Sequence, residues 1–125
     1  MLRTDYDVTG GKEIFLSVED PDNDILIGFT RLRIPSKGVF RQEITNSSAL
    51  IRELHVYGQM QEIGKNDTQL WQHRGFGAEL LKTAEQIAKD EFDKDKLLII
   101  SGIGVRDYYR KLGYHKNGPY MSKFL

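Results

Sequence analysis

The pattern of apolar and polar residues along the first third of the chain predicts an antiparallel hairpin. Residues 13–19 and 25–34 are rich in the apolar residues that strands favour. The segment between them, residues 20–24, reads Asp-Pro-Asp-Asn-Asp. Such residues form turns because proline presets φ and Asp or Asn side chains bond their own backbone. Residues 1–11 end in two glycines and are predicted to be a linker that precedes the domain.

A third strand is predicted over residues 48–57, and its two faces differ in character. The two-residue period of a strand puts Leu54 and Val56 on one face. The polar residues Glu53 and His55 fall on the other face, where they are available for chemistry or for ion pairs.

The second half of the chain alternates helices and strands. Residues 75–92 predict a long helix, because apolar residues recur there at helical spacing, namely Phe76, Leu80, Ala84, Ile87 and Ala88. Residues 96–101 form a short apolar run, typical of a strand buried on both faces in parallel pairing. A short helix over 105–112 and a last strand over 120–125 follow. The predicted order β-β-β-α-β-α-β describes a mixed sheet of the α/β (α+β) class in one domain, residues 12–125.

Glycines mark the start of the long helix, in the segment Gln72-His73-Arg74-Gly75-Phe76-Gly77-Ala78. Backbone N–H groups at a helix N-terminus bind phosphate, and a glycine lets phosphate oxygens approach the main chain closely. The segment therefore predicts a pyrophosphate site, with Arg74 as a further phosphate contact. An ordinary glycine-rich helix start is the alternative interpretation.

Composition narrows the class of protein. The 18 basic and 18 acidic residues cancel, which does not favour strong autonomous binding of nucleic acid, since such domains usually carry a basic excess. The sequence has no cysteine, and this excludes disulfides, a cysteine nucleophile and cysteine-ligated metal within these residues. No apolar run reaches the roughly 18 residues of a membrane span, and no signal peptide is evident. We therefore expect a cytoplasmic domain without membrane contact or a metal site.

Several longer motifs resemble one family. The order of elements and the pattern Gln72-x-x-Gly75-x-Gly77 resemble the core of GNAT acetyltransferases. A more extensive similarity is to the C-terminal acetyltransferase domain of the Elongator catalytic subunit, through residues 10–17, 19–21, 50–58, 72–77, 100–114 and 118–123. The resemblance implies a GNAT-like fold that binds acetyl-CoA. It also implies a place in an enzyme that installs a carboxymethyl-type group on C5 of the tRNA wobble uridine.

The resemblance further implies partners outside the chain. Members of the family carry a radical S-adenosylmethionine domain, with a cysteine-bound iron–sulfur cluster, ahead of the acetyltransferase domain. The chain then corresponds to an isolated C-terminal piece or to a stand-alone relative, and tRNA would bind mainly through the full-length protein. The helix pair that GNAT domains usually have near the N-terminus is missing, which leaves the acceptor cleft open. A protein lysine N-acetyltransferase and a non-catalytic CoA-binding module are the alternative functions.

The same resemblance assigns roles to residues of the third strand. In GNAT enzymes the thioester and pantetheine arm lie beside the strand that corresponds to Glu53-Leu54-His55-Val56, where exposed amides bond the acetyl oxygen. Glu53 and His55 are both candidates for the general base. The alternatives are an ion pair of Glu53 with Arg52 or Arg106, and a structural hydrogen bond for His55.

The short helix supplies the last candidates. Tyr108 and Tyr109 resemble the acetyl-CoA contact of the second GNAT helix, and Tyr109 is the candidate for protonating the departing thiolate. Five basic residues either form a rim that contacts tRNA phosphates or are an ordinary solvated charged surface. They are Arg106, Arg110, Lys111, His73 and Lys65. Aromatic residues that either stack on a base or pack in the core are Tyr6, Tyr57, Trp71 and Tyr114.

Overall fold

The computed structural model describes residues 1–35, 47–57, 75–101 and 106–125. The strands of these residues form one mixed sheet. Within these residues the strand order is β1-β2-β3-β4-β5-β7-β6. The strands are β1 Leu2–Val8, β2 Gly11–Asp20, β3 Ile25–Pro35, β4 Ser48–Val56, β5 Lys96–Ile100, β6 His115–Asn117 and β7 Tyr120–Phe124. The helices are α1 Phe76–Phe92 and α2 Arg106–Lys111.

Most of the predicted elements are confirmed. β2 and β3 form the antiparallel hairpin, and β5 pairs in parallel with β4 and antiparallel with β7. Residues 1–35 contain strands joined by tight turns and no helix. The expected absence of an N-terminal helix pair therefore agrees with the part of the chain that the structure describes there.

The prediction of a linker over residues 1–11 is wrong for its central part. Leu2–Val8 pairs with β2 along its whole length, from Leu2 opposite Ser17 to Val8 opposite Gly11. The sequence has no pattern of buried apolar residues that would predict this strand, because Leu2 to Asp7 are all exposed. Backbone pairing holds it, together with Arg3, which donates to Glu91 of α1 at 2.6 Å. The short strand β6, His115–Asn117, lacks an apolar signal in the same way and was not predicted.

The hydrophobic core lies between the sheet and the two helices, which cover the same face. From α1 the buried residues are Gly77, Leu80, Leu81, Ala84, Ile87 and Ala88, while Phe76 at the first turn is half-buried. They pack against strand residues such as Ile14, Leu32 and Ile51. Burial of this apolar surface, at about 25 cal/mol per Å², is the main force that orders the sheet beneath the helices.

The C-terminus of α2 is closed by a glycine, as predicted for Gly113. Its φ is +95°, and its N–H donates to the carbonyl of Arg110 at 3.1 Å. The N–H of Tyr114 donates to the carbonyl of Tyr109 at 3.0 Å, which completes a Schellman motif. Tyr114 is buried, and its hydroxyl donates to Glu85 of α1 at 2.6 Å. The turn therefore fixes α2 against α1.

Candidate functional site

The pairing of two neighbouring strands ends beside the start of α1. The parallel pairing of β4 with β5 runs from Ser48 opposite Lys96 to Ile51 opposite Ile99 and stops there. β4 continues to Val56 on its other side, where it stays paired with β3. Residues 53–56 thus lack a strand partner on their β5 side among the described residues.

The backbone of residues 53–56 offers hydrogen-bonding groups to this gap. The N–H of Tyr57 donates to the carbonyl of Ile27 on β3 at 2.9 Å, so the backbone of Tyr57 faces β3. Successive residues of a strand direct their backbone groups to opposite edges. The backbone groups of Leu54 and Val56 therefore face the gap, and these donors have the preorganised placement that binds a carbonyl oxygen.

The N-terminus of α1 closes one end of the gap without a side-chain cap. Gly75, the residue before the helix, has φ +72° and ψ 36°, a left-handed conformation that favours glycine. The first bond within the helix runs from the N–H of Glu79 to the carbonyl of Gly75, at 2.8 Å. The N–H groups of Phe76, Gly77 and Ala78 hence have no acceptor within the helix, which is the arrangement that binds anions.

Gly77 has a second structural reason to be glycine. A Cβ atom at this position would lie 2.6 Å from the hydroxyl of Tyr108 and 3.4 Å from Cγ2 of Val56. The first turns of α1 and α2 and the end of β4 therefore meet at one point. Among the residues that the structure describes, a Cβ at Gly75 would meet the Cβ of Ala78, at 4.0 Å, an ordinary contact.

The two tyrosines of α2 have different surroundings. Tyr108 is 43% exposed and its hydroxyl lies at the mouth of the gap, whereas Tyr109 is 7% exposed and belongs to the core. Their rings are edge-to-face, with centroids 5.4 Å apart. Burial raises the pKa of both phenols, and Tyr108 adds to the rise at Tyr109. Both side chains thus keep their protons at neutral pH.

Glu53 and His55 lie on the opposite face of β4 from the helices. A β-bulge between Arg31 and Leu32 in the pairing of β3 with β4 makes Arg52 the extra residue. Glu53 then lies opposite Arg31, and its carboxylate is 3.7 Å from that guanidinium. His55 Nε2 is 3.9 Å from Glu53 Oε2. The sequence had suggested Arg52 or Arg106 as the partner of Glu53, and the structure places Arg31 there.

Some predicted site residues lie outside the described residues, namely Gln72, His73 and Arg74, with Lys65 and Trp71. Of the predicted basic rim, Arg110 donates to Asp107 at 2.7 Å, Lys111 is exposed and Arg106 is half-buried. Among the aromatic candidates Tyr114 is core, Tyr6 is 49% exposed and Tyr57 is half-buried. The described site therefore brings together the start of α1, Tyr108 and the backbone of residues 53–56. Tyr109 lies in the core beside Tyr108, and the side chains of Glu53 and His55 are on the other face of β4. The residues at the start of α1 are Gly75, Phe76, Gly77 and Ala78.

Sequence reasoning missed two residues that adjoin the candidate base. Arg31 pairs with Glu53, and the ring of Phe29 lies under His55 with centroids 5.2 Å apart. Cross-strand register would have found both, since Phe29 is opposite His55. The bulge at Arg52 shifts that register by one residue, and the sequence carries no clear sign of it.

Comparisons with known proteins agree with this geometry. No family model matches the chain. The tRNA uridine(34) acetyltransferase of Methanocaldococcus jannaschii is 55% identical over the whole chain, which covers 23% of that protein. Elongator complex protein 3 of Drosophila melanogaster is 50% identical, again over the whole chain and 23% of the relative. The chain spans about a quarter of the length of these curated relatives.

Solved structures place the fold. The archaeal Methanocaldococcus infernus Elp3 with residues 1–46 deleted superimposes with a TM-score of 0.86 and 53% identity, over 99% of this chain and 29% of that one. An acetyltransferase from Bacillus cereus gives a TM-score of 0.64 at 21% identity, over 90% of this chain and 73% of that one. Tetrahymena GCN5 gives 0.58 at 14% identity, over 90% and 68%. The latter two similarities establish the fold alone.

The chain has the mixed sheet and flanking helices of the GNAT acetyltransferase fold. Over its whole length it is a homologue of the proteins named tRNA uridine(34) acetyltransferase and Elongator complex protein 3, and it corresponds to their GNAT-type acetyltransferase domain. The described part of the chain contains no helix that is long and apolar enough to span a membrane.

Proposed function

We propose that this domain binds acetyl-CoA in the gap between β4 and β5 and serves a tRNA uridine(34)-modifying enzyme. The single observation that carries the proposal is the meeting of three features at one point. The strands part after Ile51, the uncapped N-terminus of α1 opens there, and Tyr108 lies against Gly77. One long ligand with an anionic and a thioester portion fits this arrangement.

The residues present suit the two portions of acetyl-CoA. The free N–H groups of Phe76, Gly77 and Ala78 would hold the pyrophosphate, helped by the positive end of α1, which contributes about 0.3–1 kcal/mol. The backbone of Leu54 and Val56 would hold the pantetheine arm and orient the acetyl oxygen. When bound, acetyl-CoA supplies an activated acetyl group as a thioester.

The titratable groups around the gap take complementary roles in the proposal. Tyr109, and Tyr108 beside it, hold a proton at neutral pH because burial raises the pKa of both phenols, so either hydroxyl can donate to a departing thiolate. Tyr108 is the more exposed of the two and Tyr109 the more enclosed. Glu53 on the open face is placed to accept a proton from water or an acceptor. The guanidinium of Arg31 lies 3.7 Å from that carboxylate.

The tRNA part of the proposal comes from the relatives. The Methanocaldococcus jannaschii relative is named tRNA uridine(34) acetyltransferase, and this chain covers 23% of its length. We infer that the remaining portion of such a protein, with its radical S-adenosylmethionine domain, completes the site. The absence of a helix within residues 1–35 fits that division of labour.

A comparison of CoA with pantetheine tests whether the pyrophosphate contributes to the affinity. Calorimetry should show CoA binding at least about tenfold more tightly than pantetheine, which lacks the pyrophosphate, a difference of roughly 1.4 kcal/mol. Equal affinities for CoA and pantetheine would contradict the placement of the pyrophosphate at the N-terminus of α1. Failure of both CoA and acetyl-CoA to bind the folded chain would contradict the proposal as a whole.

A further inference from the structure

The face of the sheet opposite α1 and α2 carries a cluster of aromatic rings on β2, on β3 and at the end of β4. The cluster, called the aromatic patch below, consists of Phe15, Phe29, His55 and Tyr57. The ring centroids of Phe15 and Phe29 are 5.3 Å apart, and those of Phe29 and Tyr57 are 6.1 Å apart. The ring of His55 lies 5.2 Å from Phe29. One continuous aromatic surface therefore runs from β2 to the end of β4.

Its outer members are the ones on β4. Phe29 is 8% exposed and forms the base of the aromatic patch, whereas the side chain of His55 is 57% exposed and Tyr57 is half-buried. The rings of His55 and Tyr57 are nearly parallel, at 17°, with centroids 6.3 Å apart. Two aligned rings thus lie near the surface on the face of β4 that carries Glu53.

Arginines surround the aromatic patch. The guanidinium of Arg31 lies 5.2 Å from the ring centroid of Phe15 and 5.8 Å from that of Phe29. Arg33 and Arg52 share one buried carboxylate, that of Glu13, at 3.1 Å and 3.5 Å. These three guanidinium groups are paired with two carboxylates, those of Glu13 and Glu53. A third carboxylate, that of Glu19, accepts from Ser17, which lies opposite Phe29.

The buried pair beside the aromatic patch is incompletely bonded. Glu13 Oε1 and Arg33 Nε are both buried, and neither has a hydrogen-bond partner. An unpaired acceptor and an unpaired donor of this kind cost free energy unless a further polar group meets them. The pair adjoins the aromatic patch, since Glu13 lies opposite Arg33 two residues along the strands from Phe15 and Arg31.

We propose that the aromatic patch stacks an unpaired nucleobase of RNA, with the arginines contacting the phosphates beside it. Aromatic rings on an open sheet face bind splayed bases in RNA-recognition domains, and arginine supplies the phosphate contacts. This inference rests on the proposed function, and it locates the nucleotide on the face of β4 that carries Glu53.

Site-directed crosslinking together with RNA titration tests the proposal. The probe is an anticodon stem-loop RNA with 4-thiouridine at the wobble position, and the readout is the crosslinked peptide and the affinity by fluorescence anisotropy. The crosslink should fall within residues 53–57. Tyr57→Leu should weaken binding by at least about fivefold, since it keeps apolar volume but removes the π face, and Tyr57→Phe should stay within about twofold of the original.

Controls make the test specific to this face. Tyr6→Leu makes the same change in an exposed tyrosine on the edge strand β1, and it should stay within about twofold of the original protein. Thermal melts verify that each variant is folded, and Arg52→Gln should weaken binding and reduce its dependence on salt. A fully paired RNA duplex should compete poorly, because its bases are not free to stack.

The outcomes separate this inference from the proposed function. Unchanged RNA affinity in folded Tyr57→Leu, a crosslink elsewhere, equal competition by duplex RNA, or no RNA binding at all would each overturn the stacking site. If CoA still binds at the α1 N-terminus in those samples, the cofactor proposal stands while the inference fails. If the original protein does not bind CoA, the cofactor proposal fails, whatever the crosslink shows.

Discussion

The hydroxyl of Tyr108 lies where a side chain at position 77 would begin, since a Cβ on Gly77 would be 2.6 Å from that oxygen. The helix α2 therefore closes on the first turn of α1 through a contact that only glycine allows. This contact joins the proposed pyrophosphate site to the tyrosines at the proposed thioester end, so a change at Gly77 acts on both.

Replacing Gly77 should weaken acetyl-CoA binding while the domain remains folded. We expect Gly77→Leu to cost at least about tenfold in affinity, roughly 1.4 kcal/mol, because the side chain fills the space where phosphate and Tyr108 meet. Calorimetry measures the affinity. Gln86→Leu, at an exposed position of the same helix, is the control for the added side chain and should bind normally.

Changing Tyr108 as well separates two possible causes of weak binding by variants at position 77. One is the clash with the Tyr108 hydroxyl, and the other is direct obstruction of the ligand. In Tyr108→Phe the clashing hydroxyl is absent, so Gly77→Ala is relieved of its closest contact. Continued weak binding in the double variant indicates that the methyl group obstructs the ligand itself. Normal affinity in a folded Gly77→Leu variant would contradict the assignment of the pyrophosphate site.

Tyr109 and Tyr108 should differ in how their hydroxyls contribute. If Tyr109 protonates the thiolate, Tyr109→Phe should bind acetyl-CoA nearly normally and release CoA slowly, whereas Tyr109→Ala should lose both because it also removes a buried ring. Stopped assays of CoA release and separate binding titrations give the two quantities. If Tyr109→Phe released CoA at the wild-type rate and Tyr108→Phe released it slowly, protonation of the thiolate would be assigned to Tyr108.

The core and the edge of the sheet should contribute unequally to stability. Ile51 is 1% exposed between β4 and the helices, so Ile51→Ala should lower the free energy of unfolding by about 2–5 kcal/mol. Arg3→Ala breaks the exposed ion pair with Glu91 and should cost at most about 1 kcal/mol. Urea denaturation measures both. Equal losses would show that the edge strand β1 matters more to the fold than its exposure indicates.

Stability should fall in alkaline solution, with Tyr114 as a main contributor. Burial, and then the bond to Glu85, raises the pKa of Tyr114 above the value near 10.0 that the phenol has when unfolded. The folded protein therefore holds this proton more tightly, so its contribution is complete below about pH 10 and is lost as the pH rises further. Urea denaturation from neutral to alkaline pH should show this decline.

Tyr114→Phe provides the check on that assignment. It removes the donor to Glu85, so at neutral pH it should cost about 1.5–3 kcal/mol, the range for hydrogen bonds to charged groups. Its stability should decline less steeply above pH 10 than that of the original protein. An identical slope in both proteins would assign the alkaline sensitivity to other groups.

The sequence predicts an element correctly where its local pattern and its burial agree. The periodic α1, the apolar β5 and Gly113 at the end of α2 were all predictable, because each combines a strong local preference with a buried face. β1 was not predictable, because Leu2 to Asp7 are exposed and the strand is held by its pairing with β2.

The site was predictable in kind more than in its contacts. Glu53 and His55 fall on the polar face of β4 as the two-residue period requires. The partner of Glu53 depends on the bulge at Arg52, a long-range feature of two strands, and so Arg31 could not be read from the pattern. Roles of Gln72, His73 and Arg74 remain predictions from the family resemblance.

Release of CoA with and without tRNA tests the central claim most directly. The isolated chain should hydrolyse acetyl-CoA slowly and bind tRNA weakly and with strong salt dependence, because phosphate contacts dominate such binding. Joined to the N-terminal portion that its relatives carry, it should bind tRNA and release CoA faster when tRNA is present. Equal CoA release with and without tRNA by that complete protein, together with efficient acetylation of a lysine peptide, would contradict the account.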